Sequence, residues 1–148
     1  MTSATTPKTI DLGGQSVQRE GIAGGAITPG MLVTVNSSGE VVVHGTAGQE
    51  GARGFAVEYD LAGRGIDDDY AQGDQVVYRT PAEGSRFYGI LASGQNVSRG
   101  AALTSNGDGR LKAASATDFV EGYAAEAVDA SGGAARIRVD VHKGRGIA

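Results

Sequence analysis

Apolar and polar positions alternate along most of this chain with the two-residue period of a strand, and Gly, Asn or Ser interrupts the alternation every few residues. LVTV at 32 to 35, the turn NSSGE and VVV at 41 to 43 predict a hairpin. A second hairpin turns at NGDG, residues 106 to 109, where Asn and Gly tolerate the positive φ angles of tight turns. The clearest strand is ARIRVDVH, residues 135 to 142. There Ile137, Val139 and Val141 point one way and Arg136, Arg138, Asp140 and His142 the other. DQVVYRT at 74 to 80 reads as the counterpart of that strand in a first copy of the pattern, and RFYGILA at 86 to 92 as a further strand joining two halves. One segment carries two periods. From Thr117, Phe119, Val120, Tyr123, Ala124, Ala127 and Val128 share a helical face, with Thr117 or Asp118 as N-cap. Its counterpart GFAVEYD alternates as a strand, which favours a strand from Gly122 on and leaves a short helical turn around Ala116 to Glu121 open.

These elements come twice. ITPGMLVTVNSSGEV at 27 to 41 returns as VSRGAALTSNGDGRL at 97 to 111, with Gly30, Thr34, Asn36 and Gly39 answered by Gly100, Thr104, Asn106 and Gly109. A second phrase follows each copy, GFAVEYDLAG from Gly54 and GYAAEAVDASG from Gly122. The repeat, 27–63 and 97–132, is a supersecondary unit, and the insertion RGIDDDYAQG lengthens its first copy. The expected fold is mainly β: a small single-domain β-barrel or β-tulip-like fold built from a duplicated hairpin. The hairpins 27–43 and 97–113 are expected to superimpose. Residues 1–20 have only Ile10, Leu12 and Val17 as spaced apolar positions. They read either as a frayed terminus or as an extended arm pairing with a neighbouring chain, with 21–148 as the β-rich domain.

Composition narrows the class. With 148 residues the chain fits one domain with a modest core, and 25 glycines against three prolines and no tryptophan suit short strands joined by turns. A formal net charge of −4 opposes phosphate-driven nucleic-acid binding. Absence of cysteine removes disulfides, thiolate metal sites and a cysteine nucleophile. No apolar run approaches the roughly 20 residues that span a bilayer, and no basic-then-apolar leader opens the chain, so a soluble protein without a secretion signal is expected.

Candidate chemistry is sparse. His44 and His142 lack partners at metal-ligand spacing, and Asp67, Asp68 and Asp69 lack the spaced ligands of a calcium loop. No GxSxG elbow or phosphate-cradling glycine motif is present. Glu58 and Glu126 recur at equivalent places and could pair as acid and base, but a repeat also places glutamates where they satisfy a turn amide or a subunit contact. GQNVSRGAALTS has wording found in biotinyl and lipoyl carrier domains, yet Lys112 lies beyond the turn where a carrier displays its lysine. No catalytic, cofactor-binding or metal residue is assigned.

Taken together, ITPGMLVTVNSSGEVV, GFAVEYDLAG, VSRGAALTSNGDGRL and EGYAAEAVDASGGAARIRVDV resemble the capsid decoration, or cement, proteins of tailed bacteriophages, over about residues 25 to 142. The resemblance implies a structural virion protein that is not an enzyme and takes no cofactor. Such a protein is made in the host cytoplasm, binds the major capsid protein on the outer surface of the expanded head, and is often a homotrimer; no nucleic acid or membrane is involved. It also implies that Ile10, Leu12 and Val17 belong to a capsid-binding arm. The rival readings are a small β-barrel enzyme and a carbohydrate- or receptor-binding head module. The first needs a pocket of convergent polar groups and the second exposed aromatic platforms.

Overall fold

The computed structural model describes residues 6–145, which form thirteen strands and a single 3-10 turn, Asp60–Ala62. The first closed sheet consists of β2 (Ser16–Ile22), β3 (Leu32–Val35), β4 (Val41–Val43), β5 (Gly54–Ala56) and β6 (Gln75–Pro81), in the order β2-β6-β5-β3-β4. A parallel bridge from Ala23 to Val41 closes it. The second consists of β7 (Arg86–Leu91), β9 (Ala102–Ser105), β10 (Leu111–Ala113), β11 (Phe119–Ala124) and β13 (Ala135–Arg145). Its pairings are β7-β13, β13-β11, β11-β9 and β9-β10, and a parallel bridge from Leu91 to Leu111 closes it. Each pairing in one barrel has its counterpart in the other. Two short strands, β8 (Asn96–Val97) and β12 (Val128–Asp129), pair separately.

The fold is therefore mainly β and barrel-like, and the duplicated unit is a whole five-stranded barrel rather than a hairpin with one further strand. Matched hydrogen bonds fix the equivalence. Gly30 donates to Ala56 O at 2.8 Å as Gly100 does to Ala124 O at 2.7 Å, and Asn36 donates to Glu40 O as Asn106 does to Arg110 O. Gly39 and Gly109 both have φ +83, which L side chains rarely adopt, so each hairpin turn demands glycine. The segment RFYGILA is β7, the first strand of the second barrel and counterpart of β2, not a link between halves. The open alternative around 116–121 resolves to a turn at Ser115–Asp118, held by Asp118 Oδ2 accepting Ser115 N at 2.9 Å, followed directly by β11.

The barrels share their cores. Phe55 points out of the first barrel and stacks on Phe87 of the second, ring centroids 5.2 Å apart. Leu32, Val57 and Val77 of the first barrel join the cluster containing Leu103, Leu111, Ile137 and Val139 of the second. In return, Ile90 of β7 packs with Ile27, Val33 and Tyr78 of the first. The insertion after the 3-10 turn closes the first barrel: Tyr70 is buried, pairs with Ile27, and donates its hydroxyl to Val57 O at 2.7 Å.

A third tie comes from the N-terminal segment. β1 (Asp11–Gly13) pairs antiparallel with β7 of the second barrel, and two residues later the chain enters β2 of the first. Gly14 makes the crossing, with φ +97 and Ser85 Cα 2.7 Å from where a Cβ would stand. This corrects the expectation of an arm over 1–20. Residues 10–20 belong to the body, and Met1–Thr5 lie outside the described residues.

Candidate functional site

The residues assigned to an arm end up in three different environments. Ile10 is fully buried, its N–H donating to Glu58 Oε1 at 3.1 Å and its carbonyl accepting from Tyr88 N at 2.8 Å. Leu12 is partly buried against the same cluster. Val17, 56% exposed on β2, is the one of the three with surface left to offer. Ile10 is a core residue of this fold, so its inclusion among surface-binding residues is corrected; a lone apolar residue amid Thr and Lys carries no sign of being core.

β2 is the most exposed strand, and Val17 and Ile22 on it are two of the four exposed large apolar side chains among the described residues. Its outer face is organised by Arg79 of β6, which donates to Ser16 Oγ at 3.0 Å and Gln18 Oε1 at 2.9 Å and lies 3.8 Å from Asp11. Beside this face is a cleft of about 390 Å³ reaching Glu20, Glu58, Tyr59 and Asp60. Its charged lining is four carboxylates, Asp11, Glu20, Glu58 and Asp60, against the one guanidinium of Arg79, which is already engaged.

A second polar cluster sits at the barrel junction. Ser105 Oγ lies 2.7 Å from His44 Nδ1, while His44 Nε2 lies 3.2 Å from Glu50 O. Nearby, Glu121 is fully buried; Lys143 Nζ stands 3.4 Å from Oε1 and also donates to Ala52 O at 3.1 Å. Among the described residues, neither Glu121 oxygen has a hydrogen-bond partner. Burial pushes its pKa up, opposed by the nearby Lys143 and His44. A serine, a histidine and a carboxylate thus come together, but Ser105 and Glu121 are fully buried and His44 nearly so. The group connects loop 44–53 of one barrel to β9, β11 and β13 of the other. Glu121 and Lys143 went unnoticed in the sequence, where only the lone polar residue in an apolar run, FVEGYA, hinted at a buried charge.

The other sequence candidates are engaged in local structure. Glu58 accepts the Ile10 amide, and Glu126 accepts the Arg138 amide at 2.9 Å and its guanidinium at 2.8 Å. The equivalent carboxylates satisfy separate backbone groups and do not form a pair. Asp67 meets Arg136 at 3.4 Å, and Asp68 accepts Gly65 N at 2.7 Å. His142 is exposed, 3.2 Å from Glu83, whose pKa is lowered chiefly by the Lys143 amide. Among the described residues no group of three or more His, Cys, Asp or Glu is placed to hold a metal ion. No helix there is long and apolar enough to cross a membrane.

No protein-family model and no curated protein matches the chain. Among solved structures, the chain is similar to the N-terminal base of the head fibre protein gp8.5 of bacteriophage phi29. That likeness has a TM-score of 0.58 at 14% identity and covers 86% of this chain and 95% of the other. At that identity the likeness establishes a shared fold, extending over both barrels.

Proposed function

We propose that this protein is a structural component of a bacteriophage head, a decoration protein seated on the outer surface of the expanded capsid. Its partners in this reading are the major capsid protein and further copies of itself, and it performs no chemical step. The observation that carries the reading is the fold likeness over 86% of the chain to the base of a phage head fibre. The resemblance of the repeat phrases to capsid decoration proteins points the same way from the sequence. The body suits such a role, since two barrels sharing a core make a rigid block whose polar residues are engaged in turns, caps and the junction.

The test is co-sedimentation of the purified chain with expanded heads assembled from the major capsid protein encoded in the same genome. Saturable pelleting at a fixed ratio to the lattice, together with a raised disruption temperature of the heads, is the expected result. A chain that stays in the supernatant at every concentration would sink the decoration role.

A further inference from the structure

The two barrels differ in one respect that their pseudo-symmetry makes visible. In the second barrel, the edge of β7 that faces away from β13 is covered at its start by β1, with Asp11 opposite Phe87 and Tyr88 N donating to Ile10 O. The counterpart of Tyr88 in the first barrel is Glu20 on β2, since Ala23 and Leu91 occupy the equivalent closing bridges. Among the described residues, β2 over Ser16–Ile22 is paired only with β6.

The direction of its backbone groups follows from the flanking bonds. Ala82 N donates to Gln15 O and Ala23 N to Asp74 O, so odd-numbered residues address β6, whereas Gly24 N donates away from it to Val41 O. Ser16, Gln18, Glu20 and Ile22 therefore direct their amides and carbonyls out of the open edge. Pro81 stands opposite Ser16, at a position where the ladder needs no N–H. Such an edge is a template for another strand.

We propose that the open edge of β2 pairs antiparallel with β2 of a second copy, about a two-fold axis at Gln18. The side chains narrow the register. An axis at Arg19 or at Glu20 would set like charges opposite each other, which is destabilising. With the axis at Gln18, Ser16 of one copy faces Glu20 of the other and Val17 faces Arg19. The Arg79 guanidinium already lies over Ser16 and Gln18, and Asp11 Oδ2 accepts the Ser16 hydroxyl at 2.9 Å, so each incoming Glu20 carboxylate arrives beside an arginine and an aspartate. On the opposite face the Arg19 stem covers Val17, which is otherwise 56% exposed. Three bonded pairs, 16 with 20, 18 with 18 and 20 with 16, give about six main-chain hydrogen bonds. The contact is isologous and yields a dimer, not the trimer implied by the resemblance, and it does not depend on the virion role.

The test uses sedimentation of the full chain from about 1 µM to about 1 mM. The expected species has twice the 14.9 kDa chain mass. Gln18→Pro removes an N–H that β6 does not use; it should weaken the dimer at least about tenfold while leaving the thermal melt in place. Because the chain has no cysteine, the double variant V17C and R19C gives a clean readout of register and should cross-link into dimers on mild oxidation. A monomer throughout, a trimer, or a dimer indifferent to Gln18→Pro would overturn the proposal. Failure of the paired cysteines to cross-link would overturn its register.

Discussion

Glu121 is the residue least well served by its surroundings. It is fully buried, Lys143 Nζ stands 3.4 Å from it, and among the described residues neither of its oxygens has a hydrogen-bond partner. Removing a carboxylate from water favours its neutral form, so its native pKa stands above the roughly 4.3 of an exposed glutamate. The folded state accordingly holds that proton more tightly than the unfolded chain. The stability gained is fully present below the unfolded pKa and is lost as pH rises through the native one. Wild type should therefore gain stability over Glu121→Gln as pH falls through the raised native pKa towards that of an unfolded glutamate. Urea melts of the two proteins at several pH values measure this, and parallel profiles would refute it. The sequence showed other residue-scale constraints more openly. Gly54 and Gly122 open the twin phrases because a Cβ at Gly54 would strike the Arg79 carbonyl and one at Gly122 would sit 2.5 Å from the Asp140 carbonyl. A close backbone approach leaves a glycine in the sequence; a buried ion pair between residues 121 and 143 leaves no such mark.

At the scale of elements, β1 and the crossing at Gly14 determine what the first twenty residues do. Ile10 lies under the Phe55 and Phe87 cluster while its backbone bonds to Glu58 and Tyr88, so the segment ties one barrel to the other. Ile10→Ala should cost about 2–5 kcal/mol, read as a lower denaturation midpoint at unchanged slope. A cost within ~0.5 kcal/mol would return Ile10 to the surface. Removing residues 1–20 takes away Ile10, β1 and most of β2, so the truncated chain should fail to fold rather than merely lose an arm. The strand β13 was legible by its alternation because one face is core and the other is wetter, whereas β3, β4 and β6 were legible as short β-branched runs bounded by turn residues. The kinship of β2 with β7 was hidden because their environments diverged. Arg19 is exposed on an open edge, while its counterpart Phe87 is fully buried beneath the added strand. Only Gly21–Ile22 and Gly89–Ile90 preserve a common word.

For the molecule as a whole, the decisive feature is that neither barrel keeps its core to itself. The Phe55 ring reaches a point 3.5 Å from where a Cβ on Gly89 would stand, close to Leu111 and Val139 inside the second barrel. Its counterpart on the second barrel, Tyr123, is 40% exposed and stands by His142. The other first-barrel junction residues Leu32, Val57 and Val77 likewise give way to Ala102, Ala125 and Arg138. The outward face of the second barrel thus lacks the apolar side chains that Phe55 and its neighbours bring to the junction. With a shared core, the two barrels should unfold as one unit. Calorimetric and van't Hoff enthalpies are expected to agree within about 10%. Phe55→Ala removes the ring that fills the neighbouring barrel, so it should destabilise the protein by about 3–5 kcal/mol and lower the single transition without splitting it. Two resolved transitions in the wild type would mean that the barrels are autonomous domains. An unchanged melting temperature for Phe55→Ala would mean that the ring does not join the cores.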